Sequence, residues 1–169
     1  ALFRRIDKCS RLRCGLHYSD IVTLNNSYIF INKDPCHSLE FPSIVPSKSS
    51  KLSLGYLSKL SDEKGFPVFV KTIFSIRKKY PNLPLNILIA GSNENPDLLN
   101  DLLSLNSITH ISVDYYGILD KDKYDLFYSK INFLLFPSSY KHEASPLTLL
   151  EAVFSGVVPF ATPIGGIPE

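Results

Sequence analysis

The sequence lacks the features that would send it into a membrane or a disulfide-bonded compartment. No apolar run among its 169 residues approaches the roughly 20 needed to span a bilayer. The N-terminal stretch, residues 1–13, has no signal-peptide core. Cysteine is scarce: Cys9, Cys14 and Cys36 are odd in number and form no C-x-x-C pair. That argues against a disulfide scaffold or a zinc site and for free thiols in a reducing compartment. Charge of one sign is also lacking. A formal net charge of +2 is too small for a general nucleic-acid or membrane-surface binder, so any basic function must be local. No Gly-x-Gly-x-x-Gly follows a strand, which disfavours dinucleotide binding. No Gly-x-Ser-x-Gly elbow occurs, which leaves a Ser-His-Asp site without support.

What is present is ordinary globular composition, 44% apolar and 20% charged, enough for one well-packed domain or one domain plus a fragment of another. Residues 1–17 are basic and compatible with a helix, and residues 20–24 and 28–31 read as short strands. A poorly patterned stretch with Pro35, Pro42, Pro46 and a serine cluster reads as a linker. Residues 1–46 are therefore set apart from a main domain spanning 47–169. The chain begins without Met and ends at Gly165-Gly166-Ile167-Pro168-Glu169, and the expectation is a fragment of something longer.

From residue 52 strands and helices alternate about five times. Residues 52–58 form the first expected strand. An amphipathic helix follows, with Phe66, Phe69, Val70, Ile73 and Phe74 on one face and Arg77, Lys78 and Lys79 in its last turn, where cations complement the helix dipole. Residues 85–90 are a nearly continuous apolar run, as expected for a buried parallel strand, and end at Gly91. Asn95 and Pro96 offer an N-cap and a first-turn proline for a helix carrying Leu98, Leu99, Leu102 and Leu103. A strand over 108–113, a short helix over 123–129 and a buried strand over 131–136 come next. Ser145-Pro146 then opens a helix that runs through Phe154 and closes at Gly156, and residues 157–161 form the last strand. This alternation predicts an α/β fold, a Rossmann-like doubly wound parallel sheet with helices on both faces and right-handed crossovers. Ligands of such sheets bind beyond the C-terminal strand ends. The loops that begin at Ser58, Gly91, Asp114, Pro137 and Thr162 are thus the ones to watch.

Two constellations lie in those loops. Glu143 and Glu151 bracket seven residues; the first sits in the loop after a buried strand, the second in the following helix. Between them Ser145 can cap, Pro146 can take the first helical position, and the N–H groups of Leu147 and Thr148 make an anion site at the positive helix end. Ionised carboxylates are acceptor-only and suit hydroxyl donors such as those of sugars. For an arbitrary pair of glutamates, a solvated loop and a surface helix position would be the commoner explanation. The second constellation is the loop from Gly55 to Gly65, with Lys59 and Lys64 as compact charges suited to phosphate. Two solvated lysines paired with Asp62 and Glu63 would be the plainer alternative. His142 lies beside the first constellation and reads as a loop residue rather than a catalyst.

From residue 52 to 169 the chain resembles the C-terminal domain of family-four retaining glycosyltransferases, enzymes of lipopolysaccharide, capsule and glycolipid synthesis. The resemblance rests on the Gly55–Gly65 run, on Pro137-Ser138, on Glu143 and Glu151, and on Gly165 to Glu169. It implies the C-terminal half of a GT-B fold, truncated at its C-terminal end. It also implies a nucleoside-diphosphate sugar as donor substrate with no cofactor, and an acceptor glycan or lipid reached through an N-terminal domain; no metal is expected, on the reading that the chain offers no D-x-D metal motif. The reaction implied is transfer of a sugar to an acceptor hydroxyl with retention of configuration. By the same resemblance Glu143 faces the donor sugar, Glu151 binds the ribose hydroxyls, and Leu147 and Thr148 meet the distal phosphate. Lys59 and Lys64 contact the diphosphate, Gly91 matches a glycine after a strand, and Tyr116-Gly117 matches a segment near the base. Lys59 replaces an arginine of the family and Ser58 a glycine. Residues 17–24 and 41–45 look like the last strand of the N-terminal domain and the approach to the second domain. The expected location is cytoplasmic, or peripheral at the inner membrane in the full-length protein, and turnover by this chain alone is not expected. Two alternatives stand beside this reading: a related GT-B epimerase or phosphorylase, and a domain that binds a nucleotide or a partner without turnover.

Overall fold

A computed structural model describes residues 51–144 and 146–167, together with the backbone of two short pieces, β1 (Arg13–Cys14) and β2 (Ile29–Phe30), which pair in parallel. Arg13 and Cys14 are extended through that pairing, so the helix expected over residues 1–17 does not run through them. The strand expected over 20–24, the remainder of residues 1–46 and the boundary at 46–47 lie outside the described residues.

The main domain alternates as its apolar periods require. In order it contains β3 (Leu52–Leu57), α1 (Phe66–Lys79), β4 (Leu85–Ala90), α2 (Pro96–Leu103), β5 (Ile111–Tyr115), α3 (Tyr124–Ser129), β6 (Phe133–Phe136), α4 (Leu147–Phe154) and β7 (Val158–Ala161). The five strands β3 to β7 form one sheet in the order β5-β4-β3-β6-β7, and every pairing is parallel. The order runs outward from β3 in one direction to β5 and then reverses to β6 and β7. That reversal is the topological switch point of a doubly wound sheet.

Side chains alternate across the sheet with a period of two residues. Leu54 and Tyr56 of β3 and Leu85, Ile87 and Ile89 of β4 face one side, where Phe66, Phe69, Val70 and Ile73 of α1 and Leu99 and Leu102 of α2 cover them. Leu57, Leu88 and Ala90 of β3 and β4 and Leu134 of β6 face the other side, against Phe127 and Tyr128 of α3, Ile131 before β6, and Ala152 of α4. Burial of each large apolar side chain contributes on the order of 1.5–3 kcal/mol, so both helical layers are held by packing rather than by their short helices' own propensity.

Local details depart from the sequence expectation at β5, at β6 and at the starts of α2 and α4. Strand β5 begins at Ile111 and not at residue 108, because Ser104–Ser107 forms a 3-10 turn and Ile111 N–H bonds back to Ile108 O at 2.9 Å. It continues through Asp114 and Tyr115, which pair with Leu88 and Ile89, so its ligand-side loop starts at Tyr116. Strand β6 begins at Phe133, because Asn132 is spent on β3: its N–H reaches Ser53 O at 2.9 Å and its side-chain oxygen accepts from Ser53 N–H at 3.1 Å. Asn95 stands at the N-cap of α2 but makes no capping bond; its amide donates to Leu60 O at 2.9 Å instead and ties α2 to the loop after β3. Pro146 is the N-cap residue of α4 rather than its first helical residue, and Ser145 lies outside the described residues. The expected closure of α4 at Gly156 is present: Val157 N–H bonds Ala152 O at 2.9 Å and Gly156 N–H bonds Val153 O at 3.1 Å, the paired bonds of a Schellman cap.

Gly65 is the position where the two ligand-side loops meet. Its φ is 74°, and a Cβ there would lie 1.8 Å from the carbonyl oxygen of Pro137, at the end of β6. Any side chain must therefore push the β3–α1 loop away from the β6–α4 loop. Gly65→Ala combines this clash with a left-handed backbone and should cost about 3 kcal/mol or more, lowering Tm by roughly 10 °C. A melting curve unchanged from the parent would show that the loops do not touch in this way.

Candidate functional site

The switch point lies between β3 and β6, so the loop leaving β3 and the loop leaving β6 form the two walls of one crevice. The β3 loop is held from beneath by Tyr56. Its ring is fully buried against Phe66 and Phe69, at centroid distances of 5.3 and 5.0 Å, and its hydroxyl lies 2.9 Å from Lys59 O and 3.1 Å from Lys64 O. Burial pushes the Tyr56 phenol well above its ordinary range, which keeps it a neutral donor. The two loops are then joined by Ser139 N–H to Glu63 O at 2.8 Å.

Lys64 crosses this junction. Its Nζ lies 2.6 Å from Glu143 Oε2 and 4.6 Å from the centroid of the Tyr140 ring. Ser138, which is buried, donates from Oγ to the same carboxylate oxygen at 3.0 Å. The backbone of Glu143 is fixed as well: its N–H bonds Tyr140 O at 3.1 Å and its carbonyl accepts from Gly166 N–H at 2.8 Å. Thr162 Oγ1 donates to the Ser138 carbonyl, so the loop after β7 backs the loop after β6. Exposures of 24% for Lys64 and 11% for Glu143 make this a largely desolvated pair, in which removal of either partner strands the other charge.

Lys59 is placed differently. It pairs with Glu94 at 2.6 Å, both side chains half exposed at 49% and 51%, and a pair of that kind contributes about 0–1 kcal/mol. The two line an open cleft of about 300 Å³ with Ser61, Asp62, Glu63 and Asn95. Neither lysine thus pairs with Asp62 or Glu63; each reaches a carboxylate on another loop, because the β4 and β6 loops flank the β3 loop on its two sides.

Gly91 carries the approach of the β4 loop. Its φ is 136° and a Cβ would fall 1.9 Å from Ser58 O, while its N–H bonds Gly117 O at 2.8 Å. Tyr115 Oη donates to Gly91 O at 2.8 Å. Tyr116 leans edge-on against Phe127 at 6.2 Å, and its hydroxyl accepts from Lys130 Nζ at 3.2 Å. The loops after β3, β4 and β5 are thereby stitched into one rim. On α4, Leu147 and Thr148 are the first two helical residues, and the helix cannot take up their N–H groups. Glu151 lies in the second turn and accepts from Tyr128 Oη at Oε2, 3.0 Å away. Burial raises the Glu151 carboxyl above the usual carboxylate range, and the Tyr128 hydrogen bond opposes that rise. His142 is exposed and stands 5.6 Å from Tyr140, ring to ring.

Sequence reasoning missed Tyr56, Tyr128 and Glu94. A buried tyrosine looks like any apolar core residue in a periodic pattern, and Glu94 looks like a loop acid. The expectation of no metal rests on the absence of a D-x-D motif, and that premise is wrong: Asp120-Lys121-Asp122 is a D-x-D. Asp120 pairs with Lys123 at 2.6 Å on an exposed turn, which holds its carboxyl below the ordinary range. No group of three or more His, Cys, Asp or Glu that could hold a metal ion occurs among the described residues, and no helix there is long and apolar enough to cross a membrane.

A parallel sheet with this order, helices on both faces and a crevice at the switch point is a Rossmann-like domain, the form taken by the C-terminal domain of GT-B glycosyltransferases. The family model described as Glycosyl transferases group 1 matches residues 51–169, and the chain belongs to that family. Among solved structures it is similar to the C-terminal domain of a glycosyl transferase group 1 family protein from Francisella tularensis, with a TM-score of 0.58 at 19% identity over 78% of this chain and 74% of that one. It is also similar to the pneumococcal O-GlcNAc transferase in complex with UDP and GlcNAc, with a TM-score of 0.54 at 26% identity over 72% of this chain. A third is the Anabaena protein HepE in complex with UDP and glucose, with a TM-score of 0.54 at 15% identity over 69% of this chain. This chain covers 23% of the pneumococcal enzyme and 31% of the Anabaena protein. No curated protein matches it significantly.

The raised Glu151 carboxyl sets a pH dependence. Below the ordinary carboxylate range, near pH 4, Glu151 is neutral both folded and unfolded. As pH rises through that range the unfolded chain releases the proton first, so ionisation works against folding. Glu151→Gln should therefore melt a few degrees higher than the parent at neutral pH and lose that advantage near pH 4. A gain that grows toward acid pH would reverse the sign and contradict the burial argument.

Proposed function

We propose that this domain holds the donor of a retaining glycosyltransferase, a nucleoside-diphosphate sugar whose sugar is passed to an acceptor hydroxyl of a surface polysaccharide or glycolipid. The observation that carries the reading is the Lys64–Glu143 pair across the switch-point crevice, in the loop that leads from β6 into α4. Family membership and neighbours solved with UDP and a sugar support it.

In this reading the diphosphate lies between the Lys64 ammonium and the Leu147 and Thr148 N–H groups. These are donors fixed before the reaction, and they stabilise the negative charge that grows on the leaving diphosphate as the glycosidic bond breaks. Lys64 gives up part of its bond to Glu143 when phosphate arrives. The Glu143 carboxylate, still held by Ser138, then accepts from the hydroxyls of the donor sugar. Glu151 accepts from the ribose hydroxyls, and Tyr116-Gly117 lie near the base. Lys59 reaches the diphosphate only by leaving Glu94, a step that costs little because that pair is half exposed. Gly91 keeps the rim low enough for the backbone to approach the phosphates. The donor is a substrate, and the reading requires neither metal nor cofactor. The acceptor and the outcome at the anomeric carbon belong to the whole enzyme.

Binding should depend on phosphate at Lys64. A hydrogen bond to a charged group is worth about 1.5–3 kcal/mol, so Lys64→Ala should weaken uridine diphosphate binding at least about tenfold. Uridine binding should stay as in the parent, and the diphosphate difference should shrink at high salt. Isothermal titration measures both ligands. Equal losses for diphosphate and nucleoside would remove Lys64 from the phosphate site.

A further inference from the structure

Tyr128 is 1% exposed, yet its hydroxyl is not spent within its own helix. It lies 3.0 Å from Glu151 Oε2 and 3.2 Å from Thr148 O, both on α4, so it ties α3 to the first two turns of the helix that borders the crevice. Its ring packs edge-on against Phe127 at 5.7 Å. A phenol has one proton to give, and a carboxylate is the stronger of its two acceptors. A glutamate on a helix surface would ordinarily sample several rotamers. Here one carboxylate oxygen is anchored from the buried side, which leaves Oε1 to accept from outside.

We propose that Tyr128 is a positioning residue: its hydroxyl fixes the Glu151 carboxylate in the orientation that accepts the ribose hydroxyls of a bound nucleotide. The proposal rests on the donor-site reading of Glu151. Its physical content is preorganisation, since a carboxylate already held in place loses no rotamer freedom on binding. The burial that raises the Glu151 carboxyl makes the anchor more necessary, because a carboxylate half withdrawn from water needs a donor that the protein supplies. Tyr128 also faces the carbonyl of Thr148, whose N–H is assigned to phosphate, so one side chain registers both the ribose and the phosphate contacts of α4.

The test is a double-mutant cycle on the full chain by isothermal titration. Uridine, adenosine and guanosine diphosphates are screened first, and the tightest is used with its 2′-deoxy counterpart. Tyr128→Phe removes one oxygen and keeps the ring. It should weaken ribonucleotide binding about three- to tenfold, as expected for one hydrogen bond, and reduce the preference for ribose over deoxyribose. In a Glu151→Ala background Tyr128→Phe should have no further effect. Melting curves establish that each variant is folded at the assay temperature. An equal loss in both backgrounds, or an unchanged ribose preference, would mark Tyr128 as merely structural and overturn the proposal while leaving the donor site intact. If the parent binds and Glu151→Ala is without effect, the assignment of Glu151 fails, and the proposal with it. If no diphosphate binds the parent, the donor-site reading itself falls.

Discussion

The pairing of β3 with β6 is the constraint on which the rest of the domain depends. Both strands are parallel, and the register sets Leu54 beside Phe133 and Gly55 beside Leu134. The chain leaves β3 toward the face covered by α1 and leaves β6 toward the face covered by α4. Two loops that depart to opposite faces from adjacent strands must leave a gap between them. Contacts that cross that gap join its two walls: Glu63 O to Ser139 N–H, the close approach of Gly65 to Pro137, and Lys64 to Glu143.

Two buried tyrosines hold the walls, one on each face of the sheet. Tyr56 sits in the α1 layer and supports the β3 loop through the carbonyls of Lys59 and Lys64. Tyr128 sits in the α3 layer and supports α4 through Thr148 and Glu151. In both cases a large apolar ring supplies the packing, and a single hydroxyl ties the core to an element at the C-terminal end of the sheet. Buried tyrosines need a hydrogen-bond partner for that hydroxyl, and here the partners lie in the β3 loop and in α4. The charges are graded in the same way: the Lys64–Glu143 pair is desolvated and held by Ser138, while the Lys59–Glu94 pair on the outer side is open to water.

Features that rest on local patterns were legible in the sequence. The i, i+3, i+4 spacing of Phe66, Phe69, Val70 and Ile73 announces α1, the apolar run 85–90 announces a buried strand, and Gly156 announces the end of α4. Glu143 and Lys64 were legible as loop residues at the ligand end of the sheet, but not as partners: 79 positions separate them, and only the strand order brings them together. Lys59 and Glu94 were illegible as a pair for the same reason. Asn95 misled because its type fits an N-cap while its amide is taken by Leu60 O. Tyr128 was hidden because its apolar role in the core accounts for its presence without reference to its hydroxyl. The β5 boundary shifted because the turn closed by Ile111 N–H to Ile108 O takes up Ile108 and Thr109, whose β-branched character reads as strand.

The central claim is that the crevice between the β3 and β6 loops is where a nucleoside diphosphate binds. Amide shift mapping on the isotope-labelled chain, titrated with uridine diphosphate, tests it most directly. The claim predicts the largest shifts at Lys64, Glu143, Leu147 and Thr148, with smaller ones at Gly91 and Gly117. Shifts concentrated instead around Phe74, Arg77 and Lys78, which line a separate hollow of about 450 Å³, would contradict it.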